Sequence, residues 1–272
     1  MKRSLHIGIN DYPGTDSDLS GCVNDAMDWK EALEKREFDE TTLLLDGDAT
    51  KENMTDAIKK IVSDTGRDDL SVITYSGHGT WVPDKDFDEV DGRDEALCPH
   101  DTSQGNILTD DELYDIFGDR KRGARIIFLS DSCHSGSVAR ARNFMPGAEA
   151  DNWHFQTIKY LAPEFYIGDN KKLMKQAQRV EGTRARGKIR AATVLFSGCR
   201  DEEYSYDAWF NGKPNGAFTF VALQALNELK ENAYYKDWYR KIRETLPHVR
   251  YPQTPQLSAS WRQRTKWKVL KE

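Results

Sequence analysis

Two apolar segments of the chain each end in a turn that carries a reactive side chain. Leu70–Tyr75 is followed by Ser-Gly-His78-Gly, and Ala124–Leu129 is followed by Ser-Asp-Ser-Cys133-His-Ser-Gly. A cysteine thiol is a few per cent thiolate near neutral pH, and a neighbouring imidazole can take its proton and later give it to a leaving amine. The pair therefore has the chemistry of nucleophilic acyl transfer.

Each of these two residues also has an ordinary structural interpretation. A lone cysteine at the end of a strand is usually a small buried hydrophobic residue, and a lone histidine is usually a hydrogen-bonded structural one. Cys98, His100, Cys133 and His134 could also contribute ligands to a zinc site, but their spacings match no common zinc pattern. Finding both residues in Gly- and Ser-rich turns after apolar strands favours catalysis.

The elements that must position the pair read as an alternation of strands and helices. This alternation predicts βαβ units and a mostly parallel sheet, whose ligands bind beyond the carboxyl ends of the strands. We predict strands at Ser4–Asn10, Thr41–Leu45, Leu70–Tyr75, Ala124–Leu129, Ala192–Ser197 and Gln256–Ser260. We predict helices at Cys22–Arg36, Ala217–Leu229 and Lys236–Thr245. Two further helices are predicted to begin after an N-cap, one after Thr50 that ends at Val62 and one after the Thr109 capping box that ends at Phe117.

Length, composition and charge exclude several classes of protein. The 272 residues suit one large domain, and no apolar run approaches the roughly 18–20 residues of a membrane helix. The N-terminus lacks the apolar core of an export signal, so we expect a cytoplasmic protein whose four cysteines are reduced. The net charge of −6 argues against nucleic acid as the main partner.

Charge is distributed unevenly along the chain. Residues 84–111 carry ten acidic side chains against two basic ones, and residues 139–190 carry eleven basic side chains against five acidic ones. Solvated loops would account for both runs. Their opposite signs also suit an acidic site and a basic segment that binds to it.

Seven motifs, in order and at consistent spacing, carry a resemblance to a known family. The histidine and cysteine turns read YSGHG and DSCHSG, and the others are GCVNDA at 21–26, DEVDGRDEALCPHD at 88–101, ILTDDEL at 107–113, SGCRDEEYSYD at 197–207 and NGAFTF at 215–220. Together they resemble metacaspases and their bacterial relatives, the orthocaspases, which are cysteine peptidases of the caspase fold. The cysteine motif departs from the QAC type of true caspases.

The resemblance implies a fold class and a division of the chain. We expect an α/β, caspase-like three-layer sandwich with an approximately six-stranded, mostly parallel sheet flanked by helices. It would form a single peptidase domain over residues 1–272. About 1–135 would correspond to a large subunit, about 136–190 to a basic activation or insertion loop, and about 191–272 to a small subunit.

The resemblance also implies the catalytic roles. Cys133 would be the nucleophile and His78 the general base and acid. The backbone N–H groups of Gly79 and Cys133 would stabilise the oxyanion. Caspase-fold peptidases use a dyad without a third side chain, so none is assigned.

A second implied set of residues lines the S1 pocket, which receives the side chain on the amino side of the scissile bond (P1). Asp25 and Asp131 match acidic positions of the family, with Cys22 and Ser76 beside them. Two desolvated carboxylates repel each other unless a cation lies between them. We therefore predict protein or peptide substrates with a basic P1 residue, Arg and then Lys, and no cleavage after Asp. The alternative is that Asp25 caps the first helix and Asp131 bonds a backbone amide.

The basic segment that follows Cys133 is a candidate self-substrate. We predict autocleavage between Arg140 and Arg190, at Arg184 or Arg186 in preference, or at Arg142. The alternative is that the aromatic residues of this segment fold it against the core as a lid. An activating protein or protease is the other route to processing.

Calcium is a cofactor of many metacaspases. Asp94, Asp110 and Asp111 match three acidic ligand positions of those enzymes, and oxygen-rich sites suit Ca²⁺. A fourth ligand position, seven residues after Cys133, is occupied here by Arg140, whose charge repels the ion. We therefore expect no required cofactor, with calcium activation as the alternative. The carboxylates Asp110 and Asp111 would equally favour the N-terminus of their helix.

Two alternatives to a metacaspase-like peptidase stay open at this point. One is a catalytically silent caspase-fold scaffold or regulator, although His78 and Cys133 are both intact. The other is a legumain- or gingipain-like peptidase, against which the GCVNDA motif argues. We expect a monomer without nucleic-acid or membrane partners.

Overall fold

The computed structural model describes residues 1–83, 93–133, 156–163 and 193–271. Its centre is a six-stranded sheet in the order β12-β9-β7-β3-β1-β2. All neighbours are parallel except β12, which pairs antiparallel with β9. The strands of this sheet are β1 (Lys2–Gly8), β2 (Glu40–Leu45), β3 (Leu70–Ser76), β7 (Arg125–Asp131), β9 (Val194–Ser197) and β12 (Gln256–Ser258).

Two small three-stranded sheets flank one end of the central sheet. The first joins β4 (Gly79–Pro83), β5 (Arg93–Leu97) and β6 (Leu108–Thr109), and the second joins β8 (Thr157–Ile158), β10 (Tyr206–Phe210) and β11 (Lys213–Gly216). The helices are α1 (Cys22–Glu34), α2 (Lys51–Asp64), α3 (Asp110–Gly118), α4 (Ala217–Asn227), α5 (Tyr235–Arg243) and α6 (Trp261–Lys266).

Buried side chains form a core on each face of the sheet, so the protein has three layers. Alternate residues of a strand point to opposite faces. Accordingly, Ile126 and Phe128 of β7 pack in a cluster with residues of α2 and α3, whereas Ile127 and Leu129 pack with residues of α1, α4 and α5. The predicted α/β three-layer sandwich with a mostly parallel sheet is confirmed.

The predicted helix starts are also confirmed. The Thr50 hydroxyl accepts the backbone N–H of Asn53 at the start of α2, and Thr109 and Glu112 form a reciprocal capping box at the start of α3. These caps satisfy backbone donors that a helix terminus otherwise leaves unpaired.

Parallel register brings the two reactive turns to one edge of the sheet. Ser76, the last residue of β3, is paired with Asp131, the last residue of β7. His78 therefore lies two residues beyond one member of a strand pair, and Cys133 lies two residues beyond the other. The sheet delivers both turns to the same place because both strands run in the same direction.

Several short elements escaped the sequence analysis. The segment from 80 to 108, for which no strand or helix was predicted, contains β4, β5 and β6 in its described part. β8, β10, β11 and α6 were not predicted either. These strands are two to five residues long, too short for a hydrophobic period to distinguish them from loops.

His6 on β1 is a titratable side chain buried in the central sheet, so it makes the stability of the fold depend on pH. Its ring is fully buried, with Nδ1 2.9 Å from the Thr74 hydroxyl. Burial, with a smaller contribution from Lys30, lowers the pKa of His6 to about 3. Between pH 6.5 and pH 3 the unfolded chain therefore binds a proton that the folded chain does not, so the unfolding free energy falls as pH falls.

We predict that His6→Gln weakens this dependence by about 1 kcal/mol per pH unit between pH 6 and pH 4. Denaturant unfolding at several pH values measures it. His248→Gln, at an exposed histidine, should keep the wild-type dependence. Equal slopes in all three proteins would show that His6 does not remain neutral in the folded state.

Candidate active site

The backbone carbonyl of Lys159 accepts two hydrogen bonds at the edge of the sheet. Its donors are the N–H of Gly79, at 3.0 Å, and the N–H of Cys133, at 3.1 Å. These are the two groups that the sequence analysis expected to form the oxyanion hole. A carbonyl held by both of them lies where an oxyanion hole binds a scissile carbonyl.

The side chain of the same lysine enters a pocket between two carboxylates. Lys159 Nζ lies 3.1 Å from Asp25 and 3.3 Å from Asp131, and it donates to the Ser76 hydroxyl at 2.8 Å. The lysine side chain is completely buried. Three of the four residues predicted to line S1 therefore surround a single ammonium group.

The fourth predicted pocket residue, Cys22, is buried at the start of α1. Burial raises the pKa of its thiol well above the usual range, while the Lys159 charge and a hydrogen bond with Ser76 act in the opposite direction. Cys22 therefore lies behind Ser76 as a neutral thiol, consistent with its predicted position beside the pocket.

Other polar groups hold the two carboxylates in place. Asp25 accepts the Asn215 side-chain amide at 2.9 Å and the N–H of Gly216 on both oxygens, at 2.9 and 3.0 Å. Asp131 accepts the Ser205 hydroxyl at 2.6 Å and two bonds from Thr219. The alternative role for Asp25, a cap on the first helix, is wrong, because α1 has no side-chain cap. The alternative role for Asp131, a bond to a backbone amide, is present at Thr219. Each carboxylate also faces the ammonium.

Charge and burial oppose each other in this pocket. Burial raises the pKa of Asp25 to about 6, against the lowering effect of the Lys159 charge. Burial alone would lower the pKa of Lys159, but Asp131, Cys22 and Asp25 outweigh it and raise that pKa well above its usual value. The pocket therefore stabilises a cation.

His78 is held from two sides. Its backbone N–H donates to the Tyr12 hydroxyl at 2.7 Å, and its Nε2 lies 2.5 Å from the backbone carbonyl oxygen of Ser17. A carbonyl can only accept, so Nε2 carries the proton, and Nδ1 has the free lone pair of the neutral ring. Nδ1 is buried and has no hydrogen-bond partner among the described residues.

The protonation state of His78 suits a general base. Burial lowers its pKa to about 4, although the carbonyl groups of Ser17 and Lys159 favour the protonated form. At neutral pH the ring is therefore uncharged and can accept a proton at Nδ1. The sequence analysis assigned no third side chain to orient the imidazole of His78. In the structure the backbone carbonyl of Ser17 holds that ring.

The thiol of Cys133 is enclosed by the turn before β10. The backbone N–H of Ser205 points at Sγ, and the Sγ of Cys199 lies 3.9 Å away. All four cysteines are free and buried. The nucleophile predicted from the sequence thus lies next to the donor pair that binds the Lys159 carbonyl.

The chain around Lys159 is extended along this site. Thr157 and Ile158 pair antiparallel with Asp207 and Tyr206, and the N–H of Lys159 donates to the Ser205 carbonyl at 2.9 Å. Beyond Lys159, the N–H of Leu161 donates to the Gly79 carbonyl at 3.0 Å. Adding a strand to an exposed edge is a common way for a protein to bind an extended peptide.

Five residues of the site were given no role in the sequence analysis. Ser17 acts through its backbone carbonyl, which no sequence pattern marks. Ser205, Asn215 and Gly216 lie in the SGCRDEEYSYD and NGAFTF motifs, so the resemblance had selected the right segments without assigning roles. Lys159 was one of eleven basic residues in its segment, and nothing local distinguished it from the others.

The predicted autocleavage sites and calcium ligands gain no structural support. Arg140, Arg142, Arg184 and Arg186 lie outside the described residues. Asp94 lies on β5, and Asp110 and Asp111 open α3. Within the described ranges, no three His, Cys, Asp or Glu side chains are grouped so that they could hold a metal ion. Calcium dependence therefore stays a prediction, and no catalytic step is assigned to calcium.

No helix in the described part of the chain is long and apolar enough to cross a membrane.

Comparison with known proteins agrees with this geometry. The profile of the caspase domain, peptidase family C14, matches residues 1–265. Metacaspase-1 of Schizosaccharomyces pombe is 29% identical over 95% of this chain, and Metacaspase-1 of Scheffersomyces stipitis is 31% identical over the same share. The chain spans 67% and 70% of the lengths of these two relatives.

A solved structure is also similar. Protein GSU0716 from Geobacter sulfurreducens superposes with a TM-score of 0.68 at 29% identity, covering 94% of this chain and 92% of that one. Family, fold and site chemistry therefore agree. The chain belongs to the caspase-domain family and is a cysteine-type endopeptidase.

Proposed function

We propose that the protein cleaves protein or peptide substrates after Arg, and then after Lys, with Cys133 and His78 as a catalytic dyad. One observation carries this proposal. A basic side chain fills the pocket between Asp25 and Asp131 while its own carbonyl accepts from Gly79 and Cys133. A foreign substrate with a basic P1 residue would make the same contacts.

Peptide hydrolysis would use Cys133, His78 and the backbone N–H groups of Gly79 and Cys133. His78, neutral and with Nδ1 available, takes the Cys133 proton, and the thiolate attacks the carbonyl carbon. The two backbone N–H groups stabilise the oxyanion, each contributing about 2.7–4 kcal/mol in comparable sites. His78 then protonates the leaving amine, and water hydrolyses the thioester.

The other functional expectations remain proposals. Self-processing within residues 140–190 is supported by Lys159, a basic residue of that segment, which lies in the acidic pocket. An activating protein or protease, a monomeric state and a cytoplasmic location are predictions from the sequence.

P1 specificity can be measured with peptides that copy the bound segment. We expect a fluorogenic Thr-Ile-Arg peptide to be cleaved fastest and Thr-Ile-Lys next. Thr-Ile-Asp should not be cleaved, because a third carboxylate would enter an anionic pocket. Cys133→Ala is the blank for each peptide, and faster cleavage after Asp would refute the assignment of S1.

Asp25→Asn should lower kcat/KM for the Arg and Lys peptides by at least about 30-fold, since it removes one charge from a buried ion pair. Steady-state kinetics measure the loss, and thermal unfolding checks the fold. Asp56→Asn, at an exposed position on α2, should leave kcat/KM unchanged. An unaffected Asp25→Asn would mean that this carboxylate does not bind P1.

Gly216 limits the size of the pocket. A Cβ at this position would overlap the Asp131 carboxylate and the bound Lys159 ammonium. Gly216→Ala should therefore raise KM and lower kcat/KM for basic peptides by about tenfold or more. Gly118→Ala is the matched control, because a Cβ there meets nothing within 4 Å. Equal KM values would place P1 elsewhere.

Calcium dependence has a direct test. We expect cleavage of the Arg peptide at the same rate with a chelator and with added calcium, because Arg140 occupies a position that is an acidic ligand in the calcium-dependent metacaspases. A rate that rises severalfold with calcium would refute this expectation.

A further inference from the structure

We propose that the Lys159–Tyr160 peptide bond is the site at which the chain processes itself. This inference rests on the proposed function, since it requires an active dyad and a pocket for basic side chains. It names a bond inside the predicted 140–190 segment that differs from the expected candidates Arg142, Arg184 and Arg186.

The first support is that side chain and carbonyl are bound together. The Lys159 ammonium faces Asp25, Asp131 and Ser76, and the carbonyl of the same residue accepts from Gly79 and Cys133. A lysine that only plugged the pocket would need the first set of contacts and not the second. Both sets together define a P1 residue in a productive register.

The second support is that backbone pairing continues on both sides of the bond. On the amino side, Thr157 and Ile158 pair with β10, and the N–H of Lys159 donates to Ser205. On the other side, Tyr160 bridges Gly79 in a parallel arrangement, and Leu161 donates to the Gly79 carbonyl. The bond therefore crosses the catalytic turns as an extended substrate does.

The third support concerns the flanking side chains. Ile158 packs against the apolar cluster that includes Cys133, Tyr204 and Tyr206, so the P2 position contacts a preformed apolar surface. The hydroxyl of Tyr160 accepts the indole N–H of Trp81 at 3.2 Å, so the residue after the bond is also bound. Peptides with an apolar residue before the basic one and an aromatic one after it fit the same surface.

Cleavage of this bond is an acyl transfer from the nitrogen of Tyr160 to Cys133 and then to water. Cys133 Sγ forms a bond to the carbonyl carbon of Lys159, and the thiol proton passes through His78 to the nitrogen of Tyr160. The C–N bond then breaks, which leaves a thioester on Lys159 and a free amine on Tyr160. Water adds its hydroxyl to the Lys159 carbonyl and returns a proton to the sulfur, giving a carboxylate-terminated and an amine-terminated chain.

The test combines fragment mass with N-terminal sequencing after incubation. Wild type and Lys159→Arg should give a new N-terminus at Tyr160. Cys133→Ala and Lys159→Gln should not, and Lys59→Gln, at an exposed lysine on α2, should behave as wild type. Because the bond already lies in the chain's own site, its cleavage should be first order, with a rate constant unchanged by tenfold dilution.

Outcomes that overturn the inference are distinct from those that overturn the proposed function. Cleavage only after Arg142, Arg184 or Arg186, or an intact wild type that still hydrolyses the Thr-Ile-Arg peptide, refutes Lys159–Tyr160 as the processing bond. If only Lys159→Gln hydrolyses that peptide, Lys159 is a plug and not a substrate. If neither protein hydrolyses it and neither is cut, the proposed function itself fails.

Discussion

The arrangement of the site depends on one buried ion cluster, the Lys159 ammonium between the carboxylates of Asp25 and Asp131. Removing three charges from water costs several kcal/mol for each ion, and only close geometry and further hydrogen bonds repay that cost. Here Ser76, Asn215, Ser205, Thr219 and the Gly216 N–H supply those bonds. An empty pocket would leave two desolvated carboxylates facing each other, so the pocket favours a cation from either the chain or a substrate.

The parallel sheet is what makes this cluster available to the catalytic turns. Ser76 and Asp131 end the paired strands β3 and β7, so two of the three residues that contact the Lys159 ammonium directly precede the turns that carry His78 and Cys133. Asp25 reaches the same pocket from α1. Only Ser132 separates Asp131, which lies in the pocket, from Cys133, which carries the thiol. A one-residue shift of either strand would turn these side chains to the other face of the sheet and separate pocket from nucleophile.

The fold could be predicted from the sequence wherever elements were long and periodic. Strands such as β3 and β7 and the caps at Thr50 and Thr109 are local signals, and the structure has them. The site could be predicted only as far as family motifs reach: the structure brings Asp25, Ser76 and Asp131 together as expected. The cation that these residues bind, Lys159, could not be predicted because the contact depends on the tertiary structure. Lys159 lies 134 positions from Asp25 and is chemically identical to other lysines of its segment.

The pocket matches an ammonium group closely, and this bears on its selectivity among basic residues. Lysine has three donors, and Lys159 faces three acceptor groups: Asp25, Asp131 and Ser76. Arginine brings five donors in a planar fork that suits two carboxylates. In the lysine-bound arrangement, however, the Gly216 N–H and the Ser205 hydroxyl already use part of the acceptor capacity of those carboxylates. In the proposed function, a preference for Arg requires the fork to share these oxygens with the structural donors, so Gly216 and Ser205 would set the ratio of Arg to Lys cleavage.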